Sequence, residues 1–201
     1  MKYTGPKHRL ARRSESNILA KESASLQRRL SIKPGMHGPK GGRRKVSEYG
    51  LQLREKQKAK WTYNVSEAQF RKYVKDATKV KGKTGEALLQ LLESRLDNVI
   101  YRLGFAPSRY MSRQLVSHGH VLVNDKKVNV PSYRVKVGDI MGLSSKAQKI
   151  PAVEKLLTNE TNVPVSYLES QAAVGKFVRL PEREEIPVDV SEQLVVEYYS
   201  R

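Results

Sequence analysis

Leu88, Leu89, Leu91, Leu92, Leu96, Val99, Ile100 and Leu103 make the strongest periodic run in the chain. Apolar residues recurring at steps of three and four line one helical face, and that face has to be buried. The run predicts one continuous helix, opened by Thr84 as its cap and closed by Gly104. A helix this apolar cannot stand alone, so the rest of the chain must supply its cover.

Upstream, Ser47 reads as a helix cap with Glu48 in the first turn. Ser66-x-x-Gln69 has the form of a capping box, with Phe70, Tyr73, Val74 and Ala77 on one face behind it. Downstream, Pro107-Ser108 opens a short helix, RYMSRQLVSH, and Gly119 ends it. Met111, Leu115 and Val116 lie on its packing side. Four β-branched runs follow, HVLV, KVNV, YRVKV and DIMGL, separated by Asn124-Asp125, Pro131-Ser132 and Gly138-Asp139. They predict a small antiparallel sheet with tight turns. QKIPAVEKLLTN is a further helix candidate, followed by a Pro-containing loop. Leu194, Val195, Tyr198 and Tyr199 share a helical face at the end, where β-branched content also allows a strand. The class is α+β: helices, then helices packed on a small sheet.

Residues 1–46 lack this patterning. SIKPGMHGPKGGRRK is rich in Gly, Pro and basic residues, so the segment reads as an extended basic arm without a core, with a short helix in reach near residues 9–30. Here charge enters. Residues 1–60 hold 17 basic and 4 acidic side chains, whereas residues 142–201 hold 7 and 9. Over 201 residues the formal net charge is +18. A chain this basic repels itself until a polyanion neutralises it, and nucleic acid is the expected partner. A membrane surface is the other candidate, but no basic amphipathic helix with a wide apolar face is present, and no secretory or spanning run. With Cys 0, disulfides and thiolate metal sites are excluded.

Ala77-x-x-x-x-Gly82-Lys83-Thr84 approaches the phosphate-cradling P-loop pattern. That loop needs a buried parallel strand before the turn and a strand-end acid for magnesium. The preceding SEAQFRKYVKDA is helical in period, and no strand-end acid follows. Gly82 is then a turn between helices, with Lys79, Lys81 and Lys83 beside a helix start. His118-Gly119-His120 lacks a third metal ligand, and no nucleophile–base–orienter set occurs. Glu182, Glu184 and Glu185 read as an acidic loop facing solvent or a protein.

The positive signal is cationic. Arg109 and Arg113, four apart, project from one face of the RYMSRQLVSH helix. Gln114, Ser117 and His118 follow near its end, Lys126 and Lys127 at the hairpin, and Tyr133, Arg134 and Lys136 beyond. Arg95 begins RLDNVIYRLG. Arginine and lysine suit phosphates; Gln, Ser and Tyr suit orientation and stacking on unpaired bases. Arg12, Arg13, Lys40, Arg43, Arg44, Lys45, Arg54, Lys56 and Lys58 extend the candidate set along the arm and the first helix.

RLDNVIYRLGF and SRYMSRQLVSHGHVLVNDKKVNVPSYRVKVGDI resemble the RNA-binding domain of the bacterial-type small-ribosomal-subunit protein four family. YTGPK, PGMHGPKGGRRKVSEYGLQLREKQK, KTGEALLQLLESRLDNV and SEQLVVEYYSR extend the likeness in order over nearly the whole chain; it is weakest over residues 142–176. The resemblance implies a basic arm (1–46), a helical domain (47–93 with 177–201) and an inserted RNA-binding domain (94–176). It implies binding without catalysis: 16S-type ribosomal RNA bound early in small-subunit assembly, a place at the messenger RNA entry channel, and small-subunit proteins three and five as neighbours. Arg43, Arg44 and Lys45 match positions that face the message in such proteins, and repression of the protein's own message is an added implied role. The implied location is a bacterial cytoplasmic ribosome rather than an organelle ribosome or membrane. Some members carry zinc on N-terminal cysteines. His8 and Ala11 stand there in this chain, so no zinc and no other cofactor is expected. An RNA-modifying enzyme with the same domain and a free messenger-binding regulator are the competing readings.

Overall fold

A computed structural model of the chain describes residue 3 and residues 5–19, 23–39, 46–80, 82–158 and 165–200. Two compact units emerge, residues 1–88 with 188–201, and residues 89–187.

The first unit is helical: α1 (Lys7–Ser14), α2 (Ala24–Gln27), α3 (Glu48–Thr62), α4 (Glu67–Ala77), the start of α5 (Thr84–Glu93) and, from the far end of the chain, α10 (Glu192–Ser200). The expected caps form. Ser47 Oγ accepts from the Gly50 N–H at 3.2 Å, and Ser66 Oγ from the Gln69 N–H at 3.4 Å. Gly82 turns the chain with φ +121°. Thr84 is the first helical residue of α5 and not its cap, because the Lys83 carbonyl already accepts from the Ala87 N–H at 3.1 Å. The chain end is helical: Val195 is buried, Tyr198 stacks near Tyr49 with centroids 5.7 Å apart, and Tyr199 near Phe70 at 6.2 Å. Packing of these rings settles a segment whose β-branched residues leave its local preference open. The arm, expected to be coreless, has a small core after all: Leu10, Ala11, Ile18 and Leu26 cluster, with Trp61 of α3 packed on them.

The second unit holds the rest of α5, then α6 (Leu96–Arg102), α7 (Arg109–Ser117), β1 (Val121–Val123), β2 (Lys126–Lys127), β3 (Ile140–Leu143), α8 (Ser145–Gln148), α9 (Pro151–Leu157), β4 (Leu168–Gln171) and β5 (Val174–Phe177), with a 3-10 turn at Arg183–Glu185. The sheet is antiparallel, ordered β2-β1-β3-β5-β4. Val121, Val123, Met141, Leu143 and Phe177 alternate onto one face, and share a core with Leu96, Val99, Ile100 and Leu103 of the apolar run and Leu115 and Val116 of α7. Asn124 and Asp125 both take left-handed φ (48° and 61°), the tight two-residue hairpin turn their identity suggests.

Two expectations fail for one reason. The apolar run is not one helix: it breaks at Ser94–Arg95, where Arg95 is extended at φ −72°, ψ 137°. YRVKV is not a strand, contributing only an isolated bridge, Arg134 to Arg95. The two irregular segments bind each other. Leu96 N–H donates to Tyr133 O (2.9 Å), Asp97 N–H to Pro131 O (3.2 Å) and Val135 N–H to Ser94 O (2.9 Å). Periodicity reads the buried face through the break, because Leu92 and Leu96 stay apolar on both sides of it. KVNV supplies only Lys127, the second residue of β2, and the sheet is completed instead by β4 and β5, from a stretch whose alternation is weak.

Candidate nucleic-acid interface

Helix α7 forms where Ser108 accepts from the Met111 N–H at 3.3 Å, and it stops where Gly119 enters left-handed φ (+69°). The turn is closed by His120 N–H to Leu115 O at 3.0 Å. Ser112, Leu115 and Val116 face inward, leaving Gln114, Ser117 and His118 exposed at the helix end. Lys127 lies across this end: a Cβ at Gly119 would stand 2.2 Å from Lys127 Cε. The left-handed φ requires glycine here, while the lysine stem, an exposed and flexible side chain, could swing aside. Asn124 braces the hairpin, accepting from the Ile140 N–H at 3.0 Å and donating to Asp139 Oδ1 at 2.9 Å. Gln114, Ser117, His118, Lys126 and Lys127 thus come to one exposed end of the unit.

A second group lies along α6. Arg109 and Arg113 share a face, as their spacing predicts, but it is the face turned to α6. Arg109 Nε donates to Asn98 Oδ1 at 2.7 Å and its guanidinium sits 4.6 Å from the Tyr101 centroid. Arg113 Nη1 lies 3.4 Å from Asp97 Oδ2, with its side chain 23% exposed. Tyr133, Arg134 and Lys136 are exposed on the loop whose carbonyls cap the start of α6. Arg113 and this loop therefore flank the same residue, Asp97.

Other expected contacts are occupied within the protein. Arg95 is 1% exposed, its guanidinium held by both oxygens of Asp97 (3.0 and 2.7 Å). In the helical unit Lys56 Nζ is 2.9 Å from Glu67 and 4.7 Å from the Tyr198 ring centre, and Lys58 Nζ is 2.7 Å from Asp189. Arg54 pairs with Glu15 at 3.5 Å. Arg12 donates to the carbonyls of Ile32 and Lys33 at 2.8 and 3.0 Å, while Arg13 is exposed beside it. Lys40, Arg43, Arg44 and Lys45 lie outside the described residues.

Behind the interface is an ionic core that pattern reading misses. Glu93 is fully buried, accepting from Arg102 Nη2 (2.9 Å), Asn98 Nδ2 (2.6 Å) and Tyr167 Oη (2.8 Å). Burial and the Glu93 carboxylate push the Tyr167 hydroxyl well above its ordinary range, so it stays a donor. The signal available in sequence is a charged residue inside an apolar run, with a polar residue five further on. In the helical unit, burial alone would raise the Glu67 carboxyl, but hydrogen bonds from Lys60, Lys56 and Tyr199 outweigh it and lower it to about 2. At the acidic loop, hydrogen bonds from Arg179 and Ser166 hold the half-buried Glu185 carboxyl at about 2. His118 and His120 stand with ring centroids 6.2 Å apart, and among the described residues no three His, Asp or Glu gather as a metal site.

Residues 2–93 match the family described as "Ribosomal protein S4/S9 N-terminal domain", and residues 94–140 match "S4 domain". The chain is similar to proteins named small ribosomal subunit protein uS4. It is 49% identical to that of Marinobacter nauticus and 46% to that of Brevibacillus brevis, over 100% of this chain and 99% of each relative. It is 48% identical to that of Phytoplasma mali, over 100% of this chain and 98% of the relative.

Proposed function

The chain belongs to the small ribosomal subunit protein uS4 family, a family of structural, non-enzymatic ribosomal proteins, and on that premise we propose how its surface binds RNA. It holds 16S-type ribosomal RNA through the exposed end of α7 with the β1–β2 hairpin, and through Arg113, Tyr133 and Arg134 along α6. The observation that carries this is the convergence of Arg113 and the 131–136 loop on Asp97, together with Lys127 laid over Gly119 at the end of the helix that bears Arg113. Arginine and lysine neutralise phosphates, and Tyr133, 37% exposed, offers a ring to an unpaired base. No bond is made or broken. Affinity comes from displaced counterions and falls steeply with salt.

Binding takes place early in subunit assembly, in a bacterial cytoplasm. The arm residues Arg43, Arg44 and Lys45 face the messenger RNA entry channel, with small-subunit proteins three and five as neighbours. The acidic loop at Glu182, Glu184 and Glu185 suits a protein neighbour better than RNA, since like charges repel. Repression of its own message would reuse the same cationic face.

Titration of 16S ribosomal RNA with wild type and Arg113→Ala at several salt concentrations tests the interface. The variant is expected to bind about tenfold more weakly, with the log–log salt slope shallower by about one. Unchanged affinity and slope would remove Arg113 from the interface.

A further inference from the structure

Asp97 is an acid at the centre of a surface proposed to bind a polyanion. Its charge opposes RNA, so a role in the bare electrostatics is excluded by sign. Its partners point elsewhere. The residue is 4% exposed. Its carboxylate accepts from Arg95 Nε at 3.0 Å and Nη2 at 2.7 Å, and lies 3.4 Å from Arg113 Nη1. Its carbonyl accepts from the buried Ser112 hydroxyl of α7. Its N–H donates to Pro131 O at 3.2 Å, and the next N–H back, of Leu96, donates to Tyr133 O at 2.9 Å. One residue thus ties together the buried Arg95, Arg113 of α7 and the loop carrying Tyr133 and Arg134.

We propose that Asp97 is a positioning residue for RNA binding: its carboxylate orients the Arg113 guanidinium, and its backbone sets the 131–134 loop beside it. Arg95 satisfies the carboxylate from inside with two well-formed bonds. The longer 3.4 Å contact then steers Arg113 without withdrawing it from the surface, where its side chain stays 23% exposed. A planar, preorganised guanidinium loses less freedom on meeting a phosphate than an untethered one. The inference rests on the RNA-binding reading above.

The sign of the effect separates positioning from charge. Asp97→Asn keeps the shape and removes the negative charge. Were the acid a passive counter-charge, the variant would bind RNA more tightly, with a steeper salt slope. As a positioning residue, its loss weakens binding about tenfold. Full-length wild type, Asp97→Asn, Arg113→Ala and the double variant are titrated with 16S ribosomal RNA, at a temperature where circular dichroism shows all four folded. The expected result is weaker binding by Asp97→Asn that largely vanishes in the Arg113→Ala background, because the two act as one unit. Tighter binding by Asp97→Asn, or equal loss in both backgrounds, overturns the proposal and leaves the RNA interface standing. Should Asp97→Asn lower folding stability, Asp97→Glu supplies the second test: it keeps the charge but displaces the carboxylate, and restored folding with weakened binding supports positioning, whereas full affinity overturns it. Salt-independent, weak binding by wild type would overturn the RNA-binding reading itself.

Discussion

The lysines of α3 and those of the β1–β2 hairpin look alike in sequence, yet the fold gives them opposite exposure. Lys56 and Lys58 have side chains only 4% and 10% exposed, each facing a carboxylate, and Lys60 is 2.8 Å from Glu67. Lys126 and Lys127 are exposed on a two-residue strand that ends at a turn. The paired lysines of α3 are withdrawn from solvent, whereas the cations of the proposed interface, Arg113 beside Asp97 included, keep part of their side chains exposed. Net charge identifies the class of partner, but carboxylate placement decides which cations meet it.

The largest test of that contrast is Glu93→Ala. It strips the acid from Arg102, Asn98 and Tyr167 inside the second unit, removing the buried carboxylate that faces a buried arginine. A loss of about 3–5 kcal/mol in urea or thermal unfolding is expected, and little loss would mean that the internal pairs are dispensable. Glu67 gives a smaller, pH-dependent effect. Its carboxyl is lowered from 4.5 to about 2, so its contribution is fully present above pH 4.5 and is lost as pH falls towards about 2. Because this side chain is 46% exposed, solvent screening reduces the contribution to on the order of 1 kcal/mol. The unfolding free energies of wild type and Glu67→Gln should differ at neutral pH and converge near pH 2; a constant gap would mean that the ion cluster with Lys56 and Lys60 is not the source. Smallest is Lys58→Ala, whose partner Asp189 is 91% exposed. It should cost about 1 kcal/mol or less and leave RNA affinity and salt slope unchanged. A drop in affinity matching that of Arg113→Ala would erase the distinction between the two sets of cations.

Most local signals are legible in sequence, because local chemistry fixes them; Thr84, the first helical residue of α5 and not its cap, is the exception. Ser47, Ser66 and Ser108 cap helices, Gly104 and Gly119 end them, and Asn124-Asp125 make the hairpin turn. Non-local signals were read poorly. The break at Ser94–Arg95 exists because residues 131–135 supply backbone partners from nearly forty positions away in the chain. β4 and β5 are strands because β3 offers an edge, not because LESQ and VGKF alternate strongly. For the proposed interface, residue types and spacing point to α7, the hairpin and the 133–136 loop. They did not distinguish the available Lys127 from the buried Arg95, since availability depends on where Asp97 lies in three dimensions.

The order β2-β1-β3-β5-β4 places the third strand in the middle of the sheet, just beyond residue 140, where the S4-domain match ends. A fragment cut at that match would keep every exposed lysine of the hairpin but leave β1 with a bare edge and Val121 and Val123 without Met141 and Leu143 to pack on. Unpaired edges recruit other chains. Such a minimal RNA-binding piece would tend to associate with itself, and a workable excision of the domain has to run on through Phe177.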